Sequence, residues 1–212
     1  MTFQKGGASM KLFNSIGPNP RVVRIFMAEK GIDLPLEDVD IMAGTNRQTD
    51  YVKINPSGTC PALKLDDGGI LCEISAICEY LEERQPNPAL IGTSAEERAE
   101  TRMWTRRVDL NICEPMTNGF RFSSGIKMFQ DRIRCLPEAA DGLKQIAQDN
   151  LKWLDSLMDG KTFIAGDRFT LADIHLFSFV DFFAGIDQPL DPELKNINAW
   201  HGRMKARPSA EA

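Results

Sequence analysis

The sequence predicts a two-part chain, an α/β unit followed by an all-helical unit, and three observations carry the prediction. Short apolar runs alternate with helical patterns from residue 11 to about residue 85. Residues 85–94, QPNPALIGTS, then bring two prolines and a glycine between two helical patterns. Beyond them only the helical period remains. The boundary falls in this linker and gives domains over 10–85 and 94–207. A length of 212 residues accommodates one large or two small domains. The 42% hydrophobic and 26% charged shares are those of an ordinary globular chain, which excludes disordered, collagen-like and coiled-coil classes.

In the first part Lys11–Asn14 reads as a strand. Pro18-Asn19-Pro20 precedes RVVRIFMAEKG, where Val22, Ile25, Phe26 and Ala28 recur near helical spacing. Asn19 is a preferred cap, Pro20 a preferred first helical residue, and Gly31 closes the helix. Leu36–Ile41 reads as a second strand and Arg47–Lys53 as a short helix or irregular turn. Pro61–Leu65 and Ile70–Leu71 read as strands around an Asp-Gly turn. Ile74, Ile77, Cys78 and Leu81 share one helix face. The order is βαβ, α, then ββα.

In the second part Thr93 or Ser94 caps a helix whose Glu96, Glu97 and Glu100 suit its positive end. Its pattern runs through Trp104, Val108 and Ile112 to Pro115. A second long helix spans Glu138–Met158. Thr170 and Asp173 form a capping box ahead of a buried helix over Ile174–Ala184, and a last helix runs from Pro192 to about Ala206. His175 reads as a hydrogen-bonded core histidine.

Twenty-five Lys and Arg against 30 Asp and Glu give a charge of −5, the wrong sign for a protein built to hold phosphate backbones. The longest greasy stretch, Ile174–Ile186, contains His175 and Asp181 and is too short and polar to span a bilayer. MTFQKGGASM lacks the apolar region of a signal peptide. Met10 offers an alternative start, which would leave residues 1–9 as a disordered extension. Cys60, Cys72, Cys78, Cys113 and Cys135 contain no CxxC, and only two His accompany them. A metal cage and a disulfide framework are therefore not expected, and reduced thiols in a cytoplasmic protein are.

Three segments carry chemistry. At Asn19-Pro20 a helix N-terminus offers unpaired N–H groups and partial positive charge, so Asn19 is either a plain cap or a neighbour of a bound anion or thiolate. Ser15 adds a hydroxyl nearby, and Gly17 allows close backbone approach. At Cys60-Pro61 a proline opening a strand leaves the preceding backbone groups unpaired, ready for a peptide ligand. At Glu73 a carboxylate precedes a helix, either as a favourable first-turn charge or as acceptor for a ligand ammonium, with the Ile74 and Ser75 N–H groups facing a carboxylate.

NPSGTCPAL, LCEISAICEYLEE and FIAGDRFTLADI, in that order, resemble a cytosolic-type bacterial glutathione S-transferase over about residues 10–207. The resemblance implies a thioredoxin-like N-terminal domain with a mixed sheet and an all-helical C-terminal domain. It implies that Pro61 is cis, that the Cys60 backbone pairs with the cysteinyl part of glutathione, that Glu73 holds the γ-glutamyl ammonium, and that the Ile74 N–H holds the γ-glutamyl carboxylate. Ser75 and Arg47 complete the glutathione-binding set. The family's usual Glu-Ser pair is here Glu73-Ile74, so a hydroxyl contact is lost unless Ser75 substitutes. The usual catalytic serine falls near Gly17, leaving Asn19, which resembles the asparagine of Nu-like members, Ser15 and backbone N–H groups as thiol activators. No cysteine precedes Cys60, which disfavours omega- and beta-like cysteine chemistry. Trp104, Arg107, Val108, Asn111 and Met116 would wall the second-substrate site. Arg107 and Arg121 either bind an acidic or quinone-like substrate or form surface pairs.

The implied function is stabilisation of the glutathione thiolate for attack on a small apolar electrophile, with glutathione as co-substrate, no metal, and a homodimeric protein. The alternatives are a glutathione-dependent disulfide reductase or peroxidase, and a non-catalytic interaction protein of the same fold. No nucleic-acid or membrane partner is expected.

Overall fold

The computed structural model describes residues 10–212, and the expectation for residues 1–9 lies outside them. The chain divides into one compact unit ending at Pro88 and a second over Ala89–Glu211.

The first unit contains β1 (Lys11–Asn14), α1 (Pro18–Lys30), β2 (Leu36–Asp38), α2 (Thr49–Ile54), β3 (Ala62–Lys64), β4 (Ile70–Cys72) and α3 (Ile74–Arg84). The sheet order is β2-β1-β3-β4. β2 runs parallel to β1, while β3 is antiparallel to both β1 and β4. This is the mixed sheet of a thioredoxin-like domain. Val22, Val23, Ile25 and Phe26 from α1 are buried together with Leu12, Leu63, Ile77 and Leu81. Gly31, at φ 63, closes α1 with its N–H on Ala28 O, and Ile32 N–H reaches Met27 O.

The start of α1 and the end of β2 differ from the sequence reading. Helix α1 begins at Pro18, with Gly17 as its cap residue, so Asn19 is the second helical residue and not the cap. Both prolines fall in the first turn, where a missing N–H costs no helical bond. Strand β2 ends at Asp38 because the Asp40 carboxylate accepts the Met42 and Ala43 N–H groups and turns the chain.

A buried ion pair ties the unit together. Lys30 Nζ donates to Glu82 Oε2 and to the Pro88 carbonyl, each at 2.6 Å, and both side chains are essentially inaccessible. The carboxylate and carbonyl together compensate an ammonium that would otherwise be costly to bury.

The second unit contains α4 (Ala95–Val108), a π-helical turn over Asp109–Cys113, α5 (Glu114–Arg121), α6 (Ile126–Phe129), α7 (Ala140–Leu157), α8 (Leu171–Ala184) and α9 (Lys195–Lys205). Ser94 is the α4 cap, accepting the Glu97 N–H at 3.2 Å, while Thr93 donates through both N–H and hydroxyl to the Glu97 carboxylate. The wide π turn lies just ahead of Pro115. A proline there removes one backbone donor and crowds the carbonyl four residues earlier, and the wider turn accommodates both.

Helix α8 is buried around its first ten residues. Its start is organised by Asp173, whose carboxylate accepts Ile164 N–H (2.9 Å), Trp200 Nε1–H (3.0 Å), Thr170 N–H (3.0 Å) and the Thr170 hydroxyl (3.1 Å). His175 is buried, but neither ring nitrogen makes a well-aligned hydrogen bond. Its Nε2 lies 3.4 Å from Asp109 Oδ1, and its ring stacks on Phe179 at 5.1 Å. Burial pushes the Asp109 carboxyl up, but His175 and Arg106 outweigh it and hold it below the usual range. Helix α9 starts at Lys195, later than Pro192, because the Asp191 side chain and carbonyl accept the Glu193 and Leu194 N–H groups in a preceding turn.

Candidate functional site

The site is built by sheet register. Phe13 pairs with Ala62, and Ala62 pairs with Cys72. One step further along, the C-terminal end of β1, the N-terminal end of β3 and the C-terminal end of β4 meet at one end of the sheet. This end carries Ser15-Ile16-Gly17, Cys60-Pro61 and Glu73. Helices α1 and α3 start there too, so two helix N-termini open at the same place.

The Cys60–Pro61 peptide is cis. Among the described residues no hydrogen bond engages the Cys60 backbone N–H or C=O. The three preceding carbonyls are all held by side chains. Arg47 Nη1 reaches Ser57 O at 3.3 Å, Asn46 Nδ2 reaches Gly58 O at 2.7 Å, and Tyr51 Oη and Asn55 Nδ2 reach Thr59 O at 2.7 and 2.8 Å.

Glu73 is exposed and is the one described non-glycine residue with positive φ, at φ 70 and ψ 130. It caps α3 through its backbone, its carbonyl accepting the Ile77 N–H at 3.0 Å. The Ile74 and Ser75 N–H groups stand in the first turn, where no helical acceptor reaches them.

The thiol-activator candidates separate. Ser15 is buried, and its hydroxyl donates to Val39 O at 2.7 Å. Its one proton is committed to the fold, which corrects the expectation that it serves a ligand thiol. Asn19 is half-buried, and its side chain makes no hydrogen bond among the described residues. Since α1 opens Pro18-Asn19-Pro20, the Asn19 N–H is the sole backbone donor of the first three helical positions. Arg24 pins the loop from behind, donating to Asn14 Oδ1 at 2.6 Å and Ser15 O at 3.1 Å.

The chain's own thiols here are shifted away from the thiolate form. Burial pushes Cys60 up, and the neighbouring Cys72 raises it further. Burial and the Glu73 charge push Cys72 up as well. Thiolate is the reactive form, so both shifts disfavour reactivity.

The apolar stripe of the second unit corrects another expectation. Val108 and Met116 are 1% and 0% exposed and pack inside that unit, as does Ile112, so they have no surface to offer a substrate. A helical stripe turns inward because that is where its burial is favourable. Trp104 is also buried, 6.3 Å from Trp153 and covered by Arg107 and Lys161 at 5.0 and 5.9 Å. Arg107 and Asn111 remain exposed. Arg121 donates to Asn118 and lies over the Phe129 ring. Among the described residues no group of three or more His, Cys, Asp or Glu is placed to hold a metal. No described helix is long and apolar enough to cross a membrane.

The loop-holding role of Asn46, Tyr51 and Asn55 was not legible in the sequence. The Asn55-Pro-Ser-Gly turn was its one signal, since Asn55 Oδ1 accepts the Ser57 N–H.

Comparison with known proteins agrees with this geometry. A family model described as glutathione S-transferase, N-terminal domain, matches residues 16–84, and one described as glutathione S-transferase, C-terminal domain, matches residues 133–208. The chain is 32% identical to a maleylacetoacetate isomerase of Pseudomonas aeruginosa over 156 residues, 73% of this chain and 71% of that protein. It is 28% identical to glutathione S-transferase 2 of Saccharomyces cerevisiae over 202 residues, covering 92% and 84% of the two chains. A solved glutathione S-transferase domain-containing protein of Marinobacter aquaeolei superposes with a TM-score of 0.87 at 34% identity, covering 94% of this chain and 98% of that one.

Proposed function

Because the chain belongs to the glutathione S-transferase family, we propose that it binds glutathione at the sheet end described above and works as a glutathione transferase. The register that brings Cys60-Pro61, Glu73 and two helix N-termini together carries this reading. The open Cys60 backbone pairs with the cysteinyl residue of the tripeptide. The Ile74 and Ser75 N–H groups receive the γ-glutamyl carboxylate at the positive end of α3, and Glu73 takes the γ-glutamyl ammonium. Arg47 stands beside Ser57 at the rim of the same loop.

The thiol lies toward α1, where the Asn19 amide and N–H donate to its sulfur and lower its pKa. The proton leaves to solvent. The sulfur then forms a bond to the electrophilic carbon of a small apolar substrate, whose leaving group departs with the electron pair. The upward shifts of Cys60 and Cys72 favour a nucleophile brought by the ligand over one supplied by the chain. Five free thiols support a cytoplasmic, reducing setting, and the reading includes a homodimer.

Calorimetry with reduced glutathione tests the reading, and saturable heat with a thermal shift at millimolar ligand is expected. Their absence overturns it. Asn19→Ala is expected to raise the pKa of the bound thiol by about one to two units, the worth of one charge-assisted bond. Turnover at pH 7 then falls while glutathione affinity changes little. Because Asn19 is not a cap, its removal costs no capping energy, and Asn19→Asp, which brings a negative charge to the thiolate, loses more activity than the alanine variant. A pH–rate profile unmoved in both variants would assign activation to the backbone N–H and helix dipole alone.

A further inference from the structure

We propose that Tyr51 is a positioning residue of the glutathione site, fixing the peptide geometry at which Cys60 meets its ligand; this rests on the glutathione-binding reading above. Tyr51 is buried on α2, and its ring packs edge-on against Phe13 at 5.9 Å. Its hydroxyl reaches past this packing to the recognition loop. Tyr51 Oη donates its one proton to Thr59 O at 2.7 Å. It lies 3.1 Å from Cys60 Sγ, so with its own proton spent it accepts from the thiol. One hydroxyl therefore grips the carbonyl before Cys60 and the side chain of Cys60 itself. The peptide unit between them, which carries the Cys60 N–H, is held from both ends.

The rest of the loop leaves this hydroxyl a role that packing does not duplicate. Gly58, at φ 60, sits so tightly against the Asn46 backbone that a Cβ would meet its carbonyl oxygen at 2.9 Å. Asn46 and Arg47 fix the Ser57 and Gly58 carbonyls. Asn55 shares the Thr59 carbonyl and also reaches Thr59 Oγ1 at 3.2 Å. The loop thus survives loss of the Tyr51 hydroxyl, but the Thr59–Cys60 peptide, then held at its carbonyl by Asn55 alone, loses the group that also ties it to the Cys60 side chain. The side chain of Cys60 faces Tyr51 and the apolar cluster of Phe13, Val39, Tyr51 and Ala62. The free backbone groups of Cys60 are the part left for a ligand.

The experiment compares the parent protein with Tyr51→Phe and Cys60→Ala. Affinity for reduced glutathione is measured by calorimetry, KM for glutathione and kcat by steady-state kinetics, and stability by thermal unfolding. Tyr51→Phe keeps the buried ring. It is expected to weaken glutathione binding and raise its KM by about three- to tenfold, the worth of one or two neutral hydrogen bonds. kcat at saturating glutathione and KM for the electrophile should stay near the parent values. Cys60→Ala, which removes only the thiol donor, should show a smaller loss in the same direction. Parent-like affinity in folded Tyr51→Phe, whatever its unfolding temperature, overturns the proposal. So does a fall in kcat with glutathione KM unchanged. A parent protein that binds no glutathione overturns the underlying functional reading itself, and the two failures are thereby told apart.

Discussion

Asp173→Ala is expected to destabilise the helical unit by about 3–5 kcal/mol, the cost of leaving several buried donors without an acceptor. The carboxylate is fully inaccessible, and four donors converge on it from the Ile164 loop, the α8 start and α9. The Thr170 hydroxyl can rotate away; the Ile164 N–H and the Trp200 indole N–H cannot. Urea unfolding of the variant should show a lower midpoint, and a midpoint equal to the parent's would remove Asp173 from the framework. The same group predicts a pH dependence. Burial pushes its carboxyl up to about 6, against the four bonds that favour the charged form. Between pH of about 4 and about 6 the unfolded chain loses this proton while the folded chain keeps it. Stability therefore falls as pH rises through that window and is level above it. The size is about 3 kcal/mol for a shift of about two units. In Asp173→Ala this part of the slope should vanish.

What the sequence revealed, and what it withheld, follows from the range of the interactions involved. The Thr170–Asp173 capping signal spans three residues and was legible. The indole of Trp200, 27 residues away, was not. Alternation gave the strand and helix order, and the Asp-Gly turn placed the β3–β4 hairpin. The start of α1 was misread because both prolines suit a first turn, and local preference for an Asn cap outweighed Gly17. The inward side of the Trp104–Val108–Ile112–Met116 stripe cannot be told from a ligand wall by spacing, since both need the same period. Ser15 was a candidate because its hydroxyl stands at a strand end; its acceptor, Val39 O, lies 24 residues on. The motifs single out Cys60, Pro61, Glu73 and Ile74, and the register brings these positions to one end of the sheet.

Glu73→Gln is expected to weaken glutathione binding by about 30-fold or more while leaving stability unchanged. Truncating one partner of a hydrogen-bonded charge pair that ligand binding buries costs ~2–5 kcal/mol, and the lower end applies because the carboxylate is exposed in the free protein. Glutamine has the same shape and the same φ demand, so it removes the charge and nothing else from the fold. The backbone supplies a second argument. A non-glycine residue at φ 70 costs on the order of 1–3 kcal/mol, and such outliers persist where surrounding structure holds them for a purpose. If Glu73 served only as a first-turn charge, an ordinary backbone conformation would do as well. Glu73→Gly separates the two roles, because glycine adopts this φ without strain. It should unfold at or above the parent temperature and yet bind glutathione no better than Glu73→Gln. Parent-like affinity in Glu73→Gln would reduce the residue to a helix-terminal charge, and the ammonium of the ligand would need another acceptor at this end of the sheet.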